Sequence, residues 1–172
     1  MLYPFAELAS GGLFLLAFFL NRDIASSIFM AIALWLLFVI SVIDMRTQTI
    51  SDMLNIPLCI FGIFYSLEIG AFYWGGALVG VGFFGGLWLI SKGKWIGSGD
   101  IILGAGVGFL VGSWQMMIIC MMMTYVIGAT VAVALLIMKK MHRKSTIPFA
   151  QFFALGALFV ILFRDRLELL LS

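Results

Sequence analysis

Two aspartates stand where acidic side chains are costly. Asp44 closes the apolar run WLLFVISVID. Asp100 closes WIGSGD and opens the run IILGAGVGFLVG. A carboxylate in or near hydrocarbon is rare and is a functional candidate by default. Two carboxyl groups a few ångströms apart cannot both ionise easily, so such a pair tends to hold one shared proton. The ionised member can then take a proton from water while the protonated member donates to a carbonyl oxygen. That is the chemistry of peptide hydrolysis. The pair titrates as a unit, so neither aspartate is assigned as acid or base. The same two residues also suit a proton or cation path in a transporter or channel.

The neighbours of Asp100 are Gly97 and Gly99. Lacking a Cβ, they permit φ above zero and the close approach of another backbone. They are expected to position the loop or a substrate peptide. Asp100 also stands where it can cap the helix that follows. GxG before an aspartate is a short pattern, and glycine is abundant, with 19 residues. The runs GGALVGVGFFGG and GAGVGFLVG look like helix-packing faces. The other acidic residues read as solvated surface: Asp23 in an NRD turn, Glu68 near a loop end, and Asp165 and Glu168 in a polar tail.

The elements that must hold these residues follow from composition. The chain has 172 residues, 64% hydrophobic and 10% charged, with a mean hydropathy of +1.20. A soluble domain is about 25% charged. So apolar a chain has lipid as its main solvent. A bilayer core takes about 20 apolar residues per helix. About seven spans are expected (six to seven), near 4–20, 24–43, 54–69, 72–91, 97–113, 115–138 and 147–163. These runs do not alternate apolar and polar residues, so helices are expected rather than the strands of a barrel. The fold class is all-α, a polytopic transmembrane bundle in a single domain over residues 1–172. Glu7 interrupts the first span, which also lacks the basic start of a cleavable signal peptide. Cys59 and Cys120 lie inside apolar runs and read as packed small side chains. No CxxC occurs, which argues against a structural zinc site.

A helix starting at Asp100 is short. The 12 residues after it span about 18 Å at about 1.5 Å each. Either the helix begins earlier or Asp100 lies below the membrane surface. Two spans separate Asp44 from Asp100, and an even number of crossings returns the chain to the same face. Both carboxylates therefore belong at one end of the bundle.

Basic residues orient that end. Arg46, Lys92, Lys94, Lys139, Lys140, Arg143 and Lys144 fall in loops on one side, and Arg22, Arg164 and Arg166 on the other. By the positive-inside rule the richer side is cytoplasmic. The KKMHRK cluster, His142 included, reads as a topology determinant that attracts anionic lipid. No nucleic-acid partner is expected from so short a patch. Trp95 reads as an interfacial anchor.

Four blocks in order, spread over nearly the whole chain, resemble a known family. They are YPFAELASGGLF, IDMRTQTISDMLNIPL, GSGDIILGAGVGFLVG and IPFAQFFALGAL. Together they are similar to the peptidase part of bacterial type IV prepilin peptidases, a group of GxGD aspartyl proteases. The resemblance implies that Asp44 and Asp100 are the catalytic aspartates. It implies leader cleavage of prepilins or pseudopilins at the cytoplasmic face of the bacterial inner membrane. On this resemblance water is expected to be the nucleophile, and no cofactor or metal is expected. A third, non-enzymatic reading is a pilus or secretion assembly factor that keeps the fold.

Departures from the family pattern are plain. Family members often carry paired CxxC motifs linked to N-methylation, and this sequence has none, so no N-methyltransferase activity is expected. The chain begins where the peptidase part would begin. Ser51 replaces a proline, Ile102 a lysine and Gln151 a proline. Asp52 is expected to cap the third helix, or else to position the loop or substrate. Glu7 falls at a family position and is expected to make a buried hydrogen bond between helices.

Overall fold

A computed structural model of the chain describes residues 3–70, 74–138 and 147–171. Eight helices follow one another: α1 (Tyr3–Leu20), α2 (Ile24–Thr47), α3 (Asp52–Glu68), α4 (Trp74–Ser91), α5 (Ser98–Val111), α6 (Trp114–Ile137), α7 (Ala150–Leu162) and α8 (Arg164–Leu171). Among the described residues there is no strand. Each expected span is a helix. In lipid a chain must satisfy its backbone internally, and helices do so locally. Three helices, α2, α4 and α6, are long and apolar enough to cross a membrane on length and composition. The apolar stretches of α1, α5 and α7 are shorter: Ala6–Leu20, Ser98–Val111 and Ala150–Leu162. The bundle is polytopic and all-α. The cluster from Lys139 to Lys144, with its assigned topology and lipid role, lies outside the described residues.

Local signals set the ends. Asp23 caps α2, its Oδ2 accepting from the backbone N–H of Ala25 and Ser26 at 3.2 and 3.3 Å. It is exposed, as expected. Gln48, at φ 52°, ends α2 in a left-handed turn, donating its N–H to the Asp44 carbonyl at 2.8 Å. The helix thus continues past Asp44, which sits in its last turn. Ser113 caps α6 by accepting from Met116 N–H. Residues read as a polar tail form α8, where Asp165 and Glu168 are exposed as expected.

Helix α5 is the central element, packed on α3 and α4. Glycines make this possible. A Cβ on Gly108 would lie 2.5 Å from the Ala77 nitrogen, and Gly76 and Gly80 meet the Gly108 and Gly104 carbonyls just as closely. The backbones touch: Gly76 N–H donates to the Gly112 carbonyl at 3.2 Å. The glycine-rich run of α4 is a packing face only in part, because Gly82, Gly85 and Gly86 face open space.

The core holds Met30, Leu34, Leu58, Phe84, Leu103 and Phe153, while residues such as Phe19, Ile90 and Ile137 point outward. Outward apolar side chains are what a lipid solvent requires. Cys120 is buried and Cys59 half-buried, both free, as packed small side chains should be. Trp95 is exposed.

Candidate active site

The buried polar side chains among the described residues are Ser26, Ser27, Ser41, Ser66, Ser91, Thr124, Asn55 and Asp44. Several of the hydroxyls bond back to their own helix: Ser27 to the Asp23 carbonyl, Ser41 to Leu37 and Thr124 to Cys120. A serine or threonine can satisfy itself this way. Asn55 and Asp44 instead reach other helices.

Asp44 is 4% exposed. Its Oδ2 accepts from the Ala150 N–H, the first residue of α7, at 2.9 Å. One turn earlier on α2, the Ser41 hydroxyl shares its one proton between the Leu37 carbonyl at 2.7 Å and the Ala150 carbonyl at 3.2 Å. Helix α2 thus grips both backbone groups of one residue. The first N–H groups of a helix lack partners within it, and Asp44 supplies one from across the bundle. Aromatic rings brace this junction: Phe149 packs on Phe84 and Phe153 with centroids 5.5 and 5.4 Å away, and on Tyr125 at 6.2 Å.

Asp100 is the third residue of α5 and half-buried. Its Oδ2 accepts from the Gly97 N–H at 3.0 Å, so it secures the first turn from the third helical position, while Gly97 and not Asp100 holds the cap position. Its Oδ1 is enclosed and has no hydrogen-bond partner among the described residues. Asp44 is close enough for its charge to act on Asp100, and Asp100 acts likewise on Tyr125 of α6. The end of α2 and the starts of α3, α5 and α7 meet here, as the count of crossings requires. Arg46, Lys92 and Lys94 lie at this same end, and Arg22, Arg164 and Arg166 at the opposite one.

Neither glycine uses its conformational freedom. Gly97 has φ −78° and ψ 159°, ordinary extended backbone, and Gly99 is not among the positive-φ glycines. Close approach is what Gly99 provides. A Cβ there would lie 2.9 Å from the Ile50 carbonyl oxygen and 3.1 Å from Ile50 Cβ. At Gly97 the nearest such atom, Asp100 Oδ2, is 3.6 Å away.

Two sequence expectations fail. Asp52 does not cap α3: Ser51 holds that position with φ −83° and ψ 126°, and Asp52 is the first helical residue, exposed. The cap position falls one residue before Asp52, whose charge still suits that end of the helix. Glu7 is exposed, not buried between helices. Only α2 has substantial contact with α1, so much of that helix faces outward.

Two residues carry more than their sequence context signalled. Asn55, fully buried on α3, donates through Nδ2 to the Gly99 carbonyl at 2.8 Å. A lone amide in an apolar helix was the available signal. At the far end of α5, Arg164 donates to the Leu110 and Val111 carbonyls at 3.0 Å each and to the Tyr65 hydroxyl at 3.2 Å. Tyr65 in turn donates to Asn21 Oδ1 at 3.3 Å. This arginine, counted by sequence only as a loop charge, ties off a helix terminus.

With this geometry in place, the comparisons with known proteins are direct. Residues 31–133 match the type IV leader peptidase family. The chain is 27% identical over 142 residues to a prepilin leader peptidase/N-methyltransferase of Aeromonas hydrophila, covering 77% of this chain and 48% of that one. A protein of the same name from Escherichia coli (strain K12) is 28% identical over 167 residues, 91% and 65% of the two chains. One from Klebsiella pneumoniae is 34% identical over 122 residues, 66% and 53%. The chain spans about half the length of most of the curated relatives it matches. No solved structure matches it.

Proposed function

This chain belongs to the type IV leader peptidase family, and we propose that it is an aspartic-type endopeptidase acting on type IV prepilins or pseudopilins. Asp44 and Asp100 are its catalytic pair. The observation that supports this reading is that both carboxylates stand at one end of the bundle, Asp44 near enough for its charge to bear on Asp100. One oxygen of each is committed to a backbone N–H, and Asp100 Oδ1 is left uncommitted.

The pair holds one proton between its two carboxyls. The ionised member takes a proton from water, and the water oxygen bonds to the scissile carbonyl carbon. The other carboxyl gives its proton to the carbonyl oxygen. On collapse the C–N bond breaks, the leaving nitrogen takes the proton held by one carboxyl, and the other carboxyl takes a proton from a hydroxyl of the diol, so the pair regains its single shared proton. The mechanism calls for no metal or cofactor. The substrate's apolar helix lies laterally against the spans, as a helix in a groove, which brings the leader junction to the carboxylates.

The site faces the cytoplasm of the bacterial inner membrane on this reading, supported by the sequence, which puts seven basic residues in loops on its side and three on the other. N-methylation, the second activity in the relatives' name, is assigned to no residue of 1–172, since no CxxC occurs there. In proteoliposomes, the wild type should release the leader from a prepilin with a basic leader ending in glycine. Asp44→Asn and Asp100→Asn should remain folded and release none. Full cleavage by either variant would remove the shared-pair mechanism. Aspartate-dependent ion flux without a peptide product would replace the peptidase reading altogether.

A further inference from the structure

Gly99 lies in the first turn of α5, where the helical pattern already gives its carbonyl the N–H of residue 103. The 2.8 Å bond from Asn55 is thus a second bond to an oxygen that is not short of donors. It does not rescue a buried acceptor. What it does is tie α3 to the turn that carries Asp100. The same peptide unit, Gly99–Asp100, has Asn55 on its carbonyl and the Asp100 side chain on the next Cα. Gly99 also rests against Ile50, in the segment leading from Asp44 to α3.

The amide is unusual in one further respect. Asn55 is 0% exposed, yet its Oδ1 has no partner among the described residues. An enclosed acceptor without a donor is unfavourable. An aliphatic side chain would pack α3 against α5 without that cost. Packing alone therefore does not account for an asparagine.

We infer that Asn55 is a positioning residue, holding the Gly99 carbonyl so that the first turn of α5 presents Asp100 to Asp44. The inference rests on the peptidase reading for its kinetic consequence, but its geometric content is independent of it. Among the described residues, Asp44 on α2 is the group whose charge acts on Asp100, and Asp100 in turn acts on Tyr125 of α6. Asn55 shifts neither by charge. It acts through distance.

Asn55→Leu deletes the tie while leaving the Gly99 carbonyl its helical partner. Asn55→Ser is a smaller second variant for use if leucine does not fit. Each is reconstituted and compared with wild type in thermal unfolding, leader cleavage and infrared titration of the carboxyl band lost in Asp100→Asn. The expected result is a folded variant whose kcat falls about 10- to 100-fold with KM within about twofold. The midpoint of the Asp100 band should also move by about one pH unit. An unmoved midpoint with kcat within about twofold, in a folded variant, overturns the inference. So does failure of both variants to fold, which would make Asn55 structural. Absence of cleavage by the wild type would count against the peptidase reading instead, and the infrared midpoint would then decide the role of Asn55 alone.

Discussion

The Ala150 N–H donates to Asp44 Oδ2 at 2.9 Å, joining the last turn of α2 to the first turn of α7 across 106 positions of chain. This one bond gives Asp44 a structural duty as well as a proposed chemical one, and different substitutions separate the two. An asparagine keeps an oxygen that can accept from Ala150; an alanine does not. Asp44→Asn should unfold close to the wild-type temperature but cleave no leader. Asp44→Ala should lose cleavage and also about 1–3 kcal/mol of stability, because a buried N–H is left unpaired. Thermal unfolding in detergent beside a cleavage assay checks both. Equal stability of the two variants would contradict the helix-joining role.

The two glycines of GSGD should respond differently to alanine. A methyl group at Gly99 would press on the Ile50 backbone oxygen, 2.9 Å from the new carbon. At Gly97 the nearest atom is 3.6 Å away and the φ of −78° suits any residue. Gly99→Ala should reduce kcat/KM by at least about tenfold, since small misplacements of reacting groups are costly. Gly97→Ala should change it by no more than about threefold, the order of a modest loss at a helix cap. The ratio of the two rates on one prepilin substrate is the measurement.

Arg164 should matter for stability rather than chemistry. It holds the Leu110 and Val111 carbonyls at the end of α5 opposite Asp100. Arg164→Ala should cost about 2–3 kcal/mol, the scale of hydrogen bonds from a charged donor. Arg164→Lys should recover only part of this, because an ammonium lacks the planar fork that reaches two carbonyls and a hydroxyl together. Chemical denaturation of the three proteins orders them. A lysine variant as stable as wild type would refute the fork argument.

Glycine substitutions along α4 should map its buried face. Gly108→Ala on α5 places a carbon 2.5 Å from the Ala77 nitrogen, whereas Gly82, Gly85 and Gly86 have no atom within 4 Å of a new Cβ. Gly108→Ala should lose about 1–3 kcal/mol through overpacking. Gly82→Ala and Gly85→Ala should be neutral or gain up to about 1 kcal/mol, as alanine is the better helix former. Unfolding temperatures of single variants test this. A penalty at Gly82 equal to that at Gly108 would point to a different packing of α4.

Much of the architecture was legible in composition because lipid leaves a polar backbone few choices. Long apolar runs between Arg22, Arg46, Lys92 and Lys94 had to be helices, and the parity of crossings put Asp44 and Asp100 at one end. Turn-level detail was less legible. Asp52 and Ser51 are adjacent and both are good caps, and one residue of phase decides which lies outside the helix. Glycine content marked α4 and α5 as packing helices but did not say which glycines face inward, since in lipid an outward glycine costs little.

Residue order alone determined that this chain is a helical membrane bundle with two carboxylates at one end, because both follow from hydrocarbon thickness and the count of crossings. Tertiary structure alone decided which backbone groups those carboxylates and their supports engage. Asn55 finds Gly99 44 positions away, and Arg164 finds Leu110 54 positions away. Such bonds leave no periodic trace in an apolar sequence. They depend on how closely glycine-faced helices approach, and that distance exists only once the bundle is assembled.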